Sequence, residues 1–169
     1  MNLFPVLCVI SALSFGQATT TTSSTTTTAK PAVKAGTKAG AKTGRTVTIT
    51  GGDNMKFDVT EITAKPGEAL HIVLKNTGTM PKVVMAHNFV LLKPGTDAAE
   101  FNKAAFNARE TDFIPPAMKD AVLANTALAG AGEAVEVTFK APAKPGTYTF
   151  VCSFPGHFAV GMRGTLTVK

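Results

Sequence analysis

Apolar and polar residues alternate along several short segments of the chain from residue 45 onward. In 134–140, for example, Val135, Val137 and Phe139 fall on one face and polar residues fall on the other. A period of two is typical of a half-buried β-strand. The same pattern predicts strands at 45–50, 55–59, 69–75, 88–92, 147–152 and 165–169. The turn-favouring pairs between them are Gly51-Gly52, Pro66-Gly67, Pro94-Gly95 and Pro145-Gly146.

One stretch has a different pattern. Residues 96–108 are rich in alanine, and Phe101, Ala105 and Ala108 recur at helical spacing. Asp97 followed by Glu100 is typical of a helix start. We therefore predict an all-β sandwich with one short helix, which lies in an excursion between two strands and ends before Pro115-Pro116.

The first 44 residues lack the pattern of a folded domain. Residues 1–18 are uncharged and mostly apolar, but they are too short and interrupted to make a good membrane span. They resemble a secretory signal that is cleaved after Ala18. Residues 19–44 are rich in threonine, alanine and lysine and lack large apolar residues, so they predict a disordered tether. The remaining segment, 45–169, has the size of one domain.

Charge is divided unevenly between these parts. The chain has 17 Lys and Arg against 11 Asp and Glu, for a net charge of +6. The tether contains no acidic residue and carries Lys30, Lys34, Lys38 and Lys42. We interpret it as a solvated spacer, with association to an anionic membrane surface as the alternative. Nothing in the chain resembles a nucleic-acid-binding module, so no such partner is predicted.

Candidate chemistry is concentrated in one loop between two predicted strands. Cys152, His157 and Met162 bring together a thiolate, an imidazole and a thioether, which are ligands that favour copper. His87 is the candidate for a second imidazole from elsewhere in the chain. Because Cys8 lies in the predicted signal, the exported chain would keep a single thiol that cannot form an internal disulfide. The alternative is that Cys152 is a buried, inert residue.

Two imidazoles, one thiolate and one weak thioether form a compromise between the ligand preferences of Cu(I) and Cu(II). Such a site changes little when the metal is oxidised or reduced, which favours electron transfer. A catalytic metal site would instead keep an open position for substrate or water. This donor set offers none, so we predict that the protein is not an enzyme.

Two segments carry a resemblance to a known family. Residues 151–168 look like the C-terminal end of azurin-type cupredoxins, and 80–91 resembles the segment that supplies their first histidine. Four residues separate Cys152 from His157, as in azurins, and four also separate His157 from Met162, where azurins have three. This combination is similar to the auracyanins, the azurin-like blue copper proteins of photosynthetic bacteria. The threonine-rich tether also resembles the membrane attachment of the auracyanins.

The resemblance implies a Greek-key cupredoxin domain over 45–169 that binds one type 1 copper. It implies that the strong ligands are His87, Cys152 and His157 and that Met162 is a weak axial ligand. The carbonyl of Ala86 is the candidate for a second axial contact, although azurins have glycine at that position.

The resemblance also implies roles for neighbouring residues. Asn88 would brace the two ligand loops, and the backbone N–H groups of Asn88 and Phe154 would donate to the Cys152 sulfur. The apolar collar and electron port would consist of Met55, Met85, Phe154 and the edge of His157. His71 has flanks that match no ligand segment, and we interpret it as a structural strand residue.

We therefore expect a monomeric electron-transfer protein that is exported to the periplasm or the outer face of the membrane. Its partners would be a redox protein that donates electrons and another that accepts them. One alternative is a periplasmic copper-binding protein that delivers the metal. Another is an enzyme with Cys152 as nucleophile, a histidine base and Asn88 as the orienting amide, which would leave Met162 without a role.

Overall fold

A computed structural model describes residues 44–169 of the chain. The predicted signal at 1–18 and the predicted tether up to residue 43 lie outside the described residues. The strands are β1 (Arg45–Gly51), β2 (Glu61–Ala64), β3 (Ala69–Asn76), β4 (Val90–Leu92), β5 (Val122–Asn125), β6 (Ala134–Lys140), β7 (Gly146–Val151) and β8 (Arg163–Val168). The α-helix α1 spans Ala98–Ala105, and 3-10 helices follow at Arg109–Thr111 and Pro116–Ala121.

The strands form two sheets. One has the order β1-β3-β6, and the other has the order β2-β8-β7-β4-β5. Two pairings are parallel, β1 with β3 and β2 with β8, and the others are antiparallel. The chain therefore repeatedly switches between the sheets. The last strand, β8, lies between its predecessor β7 and the distant strand β2.

The core lies between the sheets and follows from the alternation. In β3, Leu70, Ile72 and Leu74 are fully buried, and the apolar residues of β6 pack against the same cluster. From the other sheet, the Phe150 ring lies 5.0 Å from the ring of Phe89, measured between centroids. Apolar side chains on one face of each strand thus supply the hydrophobic stabilisation that holds the sheets together.

The predicted all-β sandwich with one short helix is confirmed, and so are most of its strands. The strand predicted at 55–59 is wrong: Met55 has a φ of 53°, outside the region for extended backbone, and Phe57 forms only an isolated bridge to Gly51. Two strands were missed, β2 and β5. Each has only four residues, too few for a clear period of two.

The helix starts where the sequence predicts and ends earlier. The side chain of Asp97 accepts hydrogen bonds from the N–H groups of Ala99 and Glu100 at 2.8 and 3.2 Å. Phe106 is 65% exposed, and after Ala105 the chain passes into a tighter turn that ends at Ala108. Within 44–169 no helix combines the length and apolar character that a membrane crossing requires.

Replacing a core ring tests this packing. Phe150 is fully buried between the rings of Phe57 and Phe89, so Phe150→Ala leaves a cavity and should lower the free energy of unfolding by about 3–5 kcal/mol. The same truncation at exposed Phe106 should cost less than about 0.5 kcal/mol. Denaturant titration of the metal-free variants measures both values, and similar losses at the two positions would contradict the assigned core.

Candidate metal centre

The last two strands hold both ends of the loop that carries the candidate ligands. Cys152 directly follows β7 and Met162 directly precedes β8, and these strands pair in antiparallel fashion up to Val151 and Arg163. The Cys152 N–H donates to the Met162 carbonyl at 3.0 Å, and the Met162 N–H donates to the His157 carbonyl at 2.9 Å. The pairing of the strands thus continues into the loop and fixes the backbone of both sulfur residues.

Turns inside the loop bring the imidazole of His157 back toward Cys152. The His157 N–H donates to the Phe154 carbonyl at 3.2 Å, and Gly156 between them has a φ of +85°, a conformation that glycine adopts readily. The second half of the loop, between His157 and Met162, is also braced. The Lys56 ammonium donates to the Val160 carbonyl, and the Arg163 guanidinium lies 5.0 Å from the centroid of the Phe158 ring.

A second segment of the chain supplies His87. Its N–H donates to the Ala129 carbonyl at 3.0 Å and its carbonyl accepts from the Ala129 N–H at 2.8 Å. The buried amide of Asn76, at the end of β3, donates to the same Ala129 carbonyl at 3.0 Å and to the Met85 carbonyl at 3.1 Å. Asn76 therefore ties the backbone before His87, and the Ala129 backbone that pairs with His87, to the end of β3.

Asn88 joins the His87 segment to the Cys152 loop. Its side-chain oxygen accepts from the Ser153 N–H at 2.8 Å, and its amide nitrogen donates to the Ser153 hydroxyl at 2.9 Å. The same nitrogen donates to the Asp112 carbonyl at 3.2 Å. Since Asn88 and Ser153 directly follow His87 and Cys152, this amide sets the spacing of the two segments.

Three potential metal ligands converge at this point. The Nδ1 atoms of His87 and His157 lie 3.2 Å apart, and the Cys152 sulfur lies 3.5 Å from His157 Nδ1. The ligand atoms of the three residues all lie within 4.8 Å of one another. Each residue is at most 2% exposed. Met162 is fully buried, and its terminal methyl and the His87 ring both border the Cα of Gly51.

A hydrogen bond selects the tautomer of His87. Its Nε2 lies 3.1 Å from the carbonyl oxygen of Gly52, which can only accept. Nε2 therefore carries the proton, and the lone pair of Nδ1 faces His157 and the interior of the cluster. An imidazole oriented through its other nitrogen is the usual arrangement for a histidine that binds a metal.

Burial keeps these three side chains uncharged without a metal. It raises the pKa of the Cys152 thiol to about 12, although the backbone N–H groups of Asn88 and Phe154 act in the opposite direction. Burial also lowers the pKa of His87, and it lowers that of His157 to about 4 with a smaller contribution from His87. A bound cation would favour the thiolate and the neutral imidazoles, so this donor set fits a soft metal ion such as copper.

Of the predicted collar residues, Phe154 lies beside His157, and the roles of Met55 and Met85 stay predictions. The ring of Phe154 lies 4.8 Å from that of His157, Met85 is buried and Met55 is half-buried. The ring of Phe113 extends this group, 5.0 Å from Phe154. The predicted exposed edge of His157 is small, because the residue is only 2% exposed.

Other residues lie apart from the centre or were not anticipated. His71 is buried in β3, where its ring nitrogens contact the Thr138 hydroxyl at 2.9 Å and a Glu136 carboxylate oxygen at 3.3 Å. Sequence reasoning interpreted Gly51-Gly52 only as a turn and gave Asn76 no role. An asparagine at a strand end carries no signal of its partners, which depend on the tertiary structure.

Comparison with known proteins decides the family. Residues 44–169 match the family described as copper binding proteins, plastocyanin/azurin family. The chain belongs to this family. Its resemblance to cupredoxins is thereby confirmed, and copper is the expected cofactor: His87, Cys152 and His157 are placed as in a type 1 copper site.

Relatives within the family include two auracyanins of Chloroflexus aurantiacus. Auracyanin-A is 39% identical over 119 residues, which cover 70% of each protein. Auracyanin-B is 52% identical over 83 residues, but the match covers only 48% of the chain and 35% of auracyanin-B. Outer membrane protein H.8 of Neisseria meningitidis is 41% identical over 125 residues, covering 72% of the chain and 66% of that protein.

A solved auracyanin structure supports the assignment to this family. The crystal structure of reduced auracyanin from Roseiflexus castenholzii superposes with a TM-score of 0.65 at 39% identity, covering 73% of the chain and 96% of that protein. The cupredoxin fold predicted from the sequence is therefore confirmed.

The pKa values predict how metal affinity depends on pH. Because the Cys152 thiol is protonated below about pH 12 and His157 is neutral above about pH 4, a metal bound through the thiolate displaces one proton between those limits. The apparent affinity for Zn²⁺ should therefore rise about tenfold per pH unit. Chelator competition at several values between about pH 6 and 8 measures the slope. A flat profile, or an unchanged slope in Cys152→Ser, would contradict thiolate ligation.

Proposed function

We propose that this protein is an electron-transfer protein that carries one electron at a time between redox proteins outside the cytoplasm. The observation that supports this most is the convergence of His87, Cys152 and His157 in a buried, closed cluster beside Met162. We assign the first three as strong ligands and Met162 as the weak axial ligand. Bound copper would supply the one-electron Cu(I)/Cu(II) couple.

The protein's own contribution is to hold the ligand side chains in one arrangement. Asn88 ties the two ligand segments together, Ala129 anchors His87, and the bond from Cys152 to the Met162 carbonyl closes the loop. A donor set that moves little between oxidation states lowers the reorganisation that accompanies each electron transfer. The backbone N–H groups of Asn88 and Phe154 donate toward the sulfur and would stabilise its charge as thiolate.

Burial of the ligands favours electron transfer over the two alternatives. A delivery protein needs ligands that a receiving protein can reach, whereas these three are at most 2% exposed. An enzyme that used Cys152 as nucleophile would need an accessible thiolate, but the thiol is fully buried and its pKa is raised to about 12. Because the sulfur is buried, a substrate could not reach it without opening the centre.

Electrons would enter and leave through the apolar edge near His157. We assign Met55, Met85 and Phe154 to the collar on that side. The loop that precedes His87 exposes Met80, Val83 and Val84 at 42%, 62% and 49%. The Ala86 carbonyl stays a candidate for a second axial contact. The partners would be a donor and an acceptor redox protein that dock against this edge in turn.

We further propose that the protein is exported and acts as a monomer. The signal-like segment 1–18 and the single remaining thiol favour a location in the periplasm or on the outer face of the membrane. One relative is named as an outer membrane protein, which agrees with that location. The basic segment 19–44 would serve as a spacer and, with its lysines, as a contact to an anionic membrane surface.

Removing the thiolate tests the ligand assignment. Cys152→Ser should abolish the intense blue absorption of the copper-loaded protein, because the thiolate-to-copper charge transfer is lost. His71→Ala is the control for removal of a potential ligand outside the cluster, and it should keep the band. The visible spectrum measures both, and a retained blue band in Cys152→Ser would refute the assignment.

Replacing the thioether tests the axial role. Met162→Leu keeps an apolar side chain of similar volume in this buried position, so the fold and the blue colour should persist. The reduction potential should rise, because a weak donor to oxidised copper is lost. Voltammetry measures the shift, and a lower potential would contradict axial ligation by Met162.

Copper retention separates electron transfer from delivery. The copper-loaded protein should cycle reversibly in voltammetry and keep its metal against a competing chelator, since the ligands are buried. Rapid loss of copper to the chelator in the reduced state would instead support delivery.

A further inference from the structure

We propose that Gly51, at the end of β1, positions the axial thioether of Met162 by providing the space into which that side chain extends. The inference rests on the proposed function, because it assigns the residue that controls one ligand of that centre. Gly51 touches no reacting atom and would act only through Met162, so it is a positioning residue.

The close approach of the two side chains is what requires glycine here. A Cβ added to Gly51 would lie 2.7 Å from Cε of Met162 and 3.2 Å from Cδ2 of His87. Carbon atoms in contact normally lie about 3.5–4.0 Å apart. The backbone itself imposes no such requirement, since Gly51 is not among the glycines with positive φ and continues the extended strand. The absence of a side chain at position 51 therefore leaves room for the side chains of Met162 and His87.

The backbone of Gly51 has little freedom to move away. Its carbonyl accepts from the Thr77 N–H at 2.8 Å and from the Thr77 hydroxyl at 3.2 Å, and the residue pairs with Asn76 in the sheet. An isolated bridge to Phe57 holds it from the other side. An added methyl group would therefore have to be accommodated by the side chains around it.

Of the two neighbours, Met162 is the one that can yield. The His87 ring is fixed by its Nε2 bond to the Gly52 carbonyl at 3.1 Å, and its backbone is bonded to Ala129. Cε of Met162 is the terminal methyl of an unbranched, flexible side chain. Because this methyl is bonded to the sulfur, moving it displaces the thioether as well. A methyl group at position 51 would thus perturb the axial position first.

Gly51→Ala tests this in the copper-loaded protein. The blue band should persist, while the reduction potential shifts upward, in the direction of Met162→Leu, and the copper EPR spectrum changes as expected for a weaker axial donor. Gly130→Ala is the matched control: its added Cβ would come as close, 2.8 Å, to the Lys82 side chain, and it should leave the potential unchanged. An unchanged potential in Gly51→Ala would overturn the proposal.

A Met162→Ala background separates the two routes of action. With the thioether truncated, the new methyl has room, so Gly51→Ala should cause no further shift in potential. An equal shift in both backgrounds would mean that the substitution acts through His87 or through general distortion, and it would overturn the proposal.

The metal-free proteins supply a readout that does not depend on the redox role. Crowding by Gly51→Ala should lower the thermal unfolding midpoint of the parent, and Met162→Ala should relieve that loss. Equal losses in both backgrounds would contradict contact between positions 51 and 162, even if Gly51→Ala were too unstable to load with copper. If instead the parent protein shows no blue band or reversible couple, the proposed function fails, while this stability coupling still tests the contact.

Discussion

The antiparallel pairing of β7 with β8 is the constraint on which the metal centre depends. It places Cys152 at the end of one strand and Met162 at the start of the next, joined by a backbone hydrogen bond of 3.0 Å. The loop between them has both ends fixed, so its turns determine where His157 lies. The hydrophobic core that holds the sheets together therefore also positions three of the four proposed ligands.

The remaining histidine is positioned by amides. Asn76 and Asn88 are buried. Asn76 donates to the carbonyls of Met85, before His87, and of Ala129, which pairs with His87, while Asn88 bonds to Ser153 after Cys152. A buried amide is costly unless its donors and acceptors are paired, so each pairing favours a single arrangement of the chain. The same burial disfavours charge on the thiol and on the imidazoles. A bound cation would stabilise the thiolate form of Cys152 and would keep both imidazoles neutral.

Much of this could be predicted from the sequence. The alternation in 134–140 predicted β6 with its bounds, and the Asp97 cap predicted the start of α1. The spacing of Cys152, His157 and Met162 indicated a shared loop, because residues so near in sequence between two strands stay near in space. These successes rest on local patterns, which depend on neighbouring residues alone.

The failures have non-local causes. Met55 adopts a left-handed conformation after a turn, so the alternation at 55–59 was misleading. The contacts of Asn76, Gly51 and Phe113 depend on segments that only the tertiary fold brings together. Gly51 looks like a turn residue in the sequence, and only the structure shows that Met162 and His87 border it.

We propose that the fold holds one ligand set that suits both oxidation states of copper. X-ray absorption spectroscopy of the oxidised and the reduced protein tests this, because it reports the atoms bound to the metal in each state. We expect two imidazole nitrogens and one thiolate sulfur as the strong ligands in both states. Loss of an imidazole on reduction, or a bound water in the oxidised protein, would contradict a centre held rigid for electron transfer.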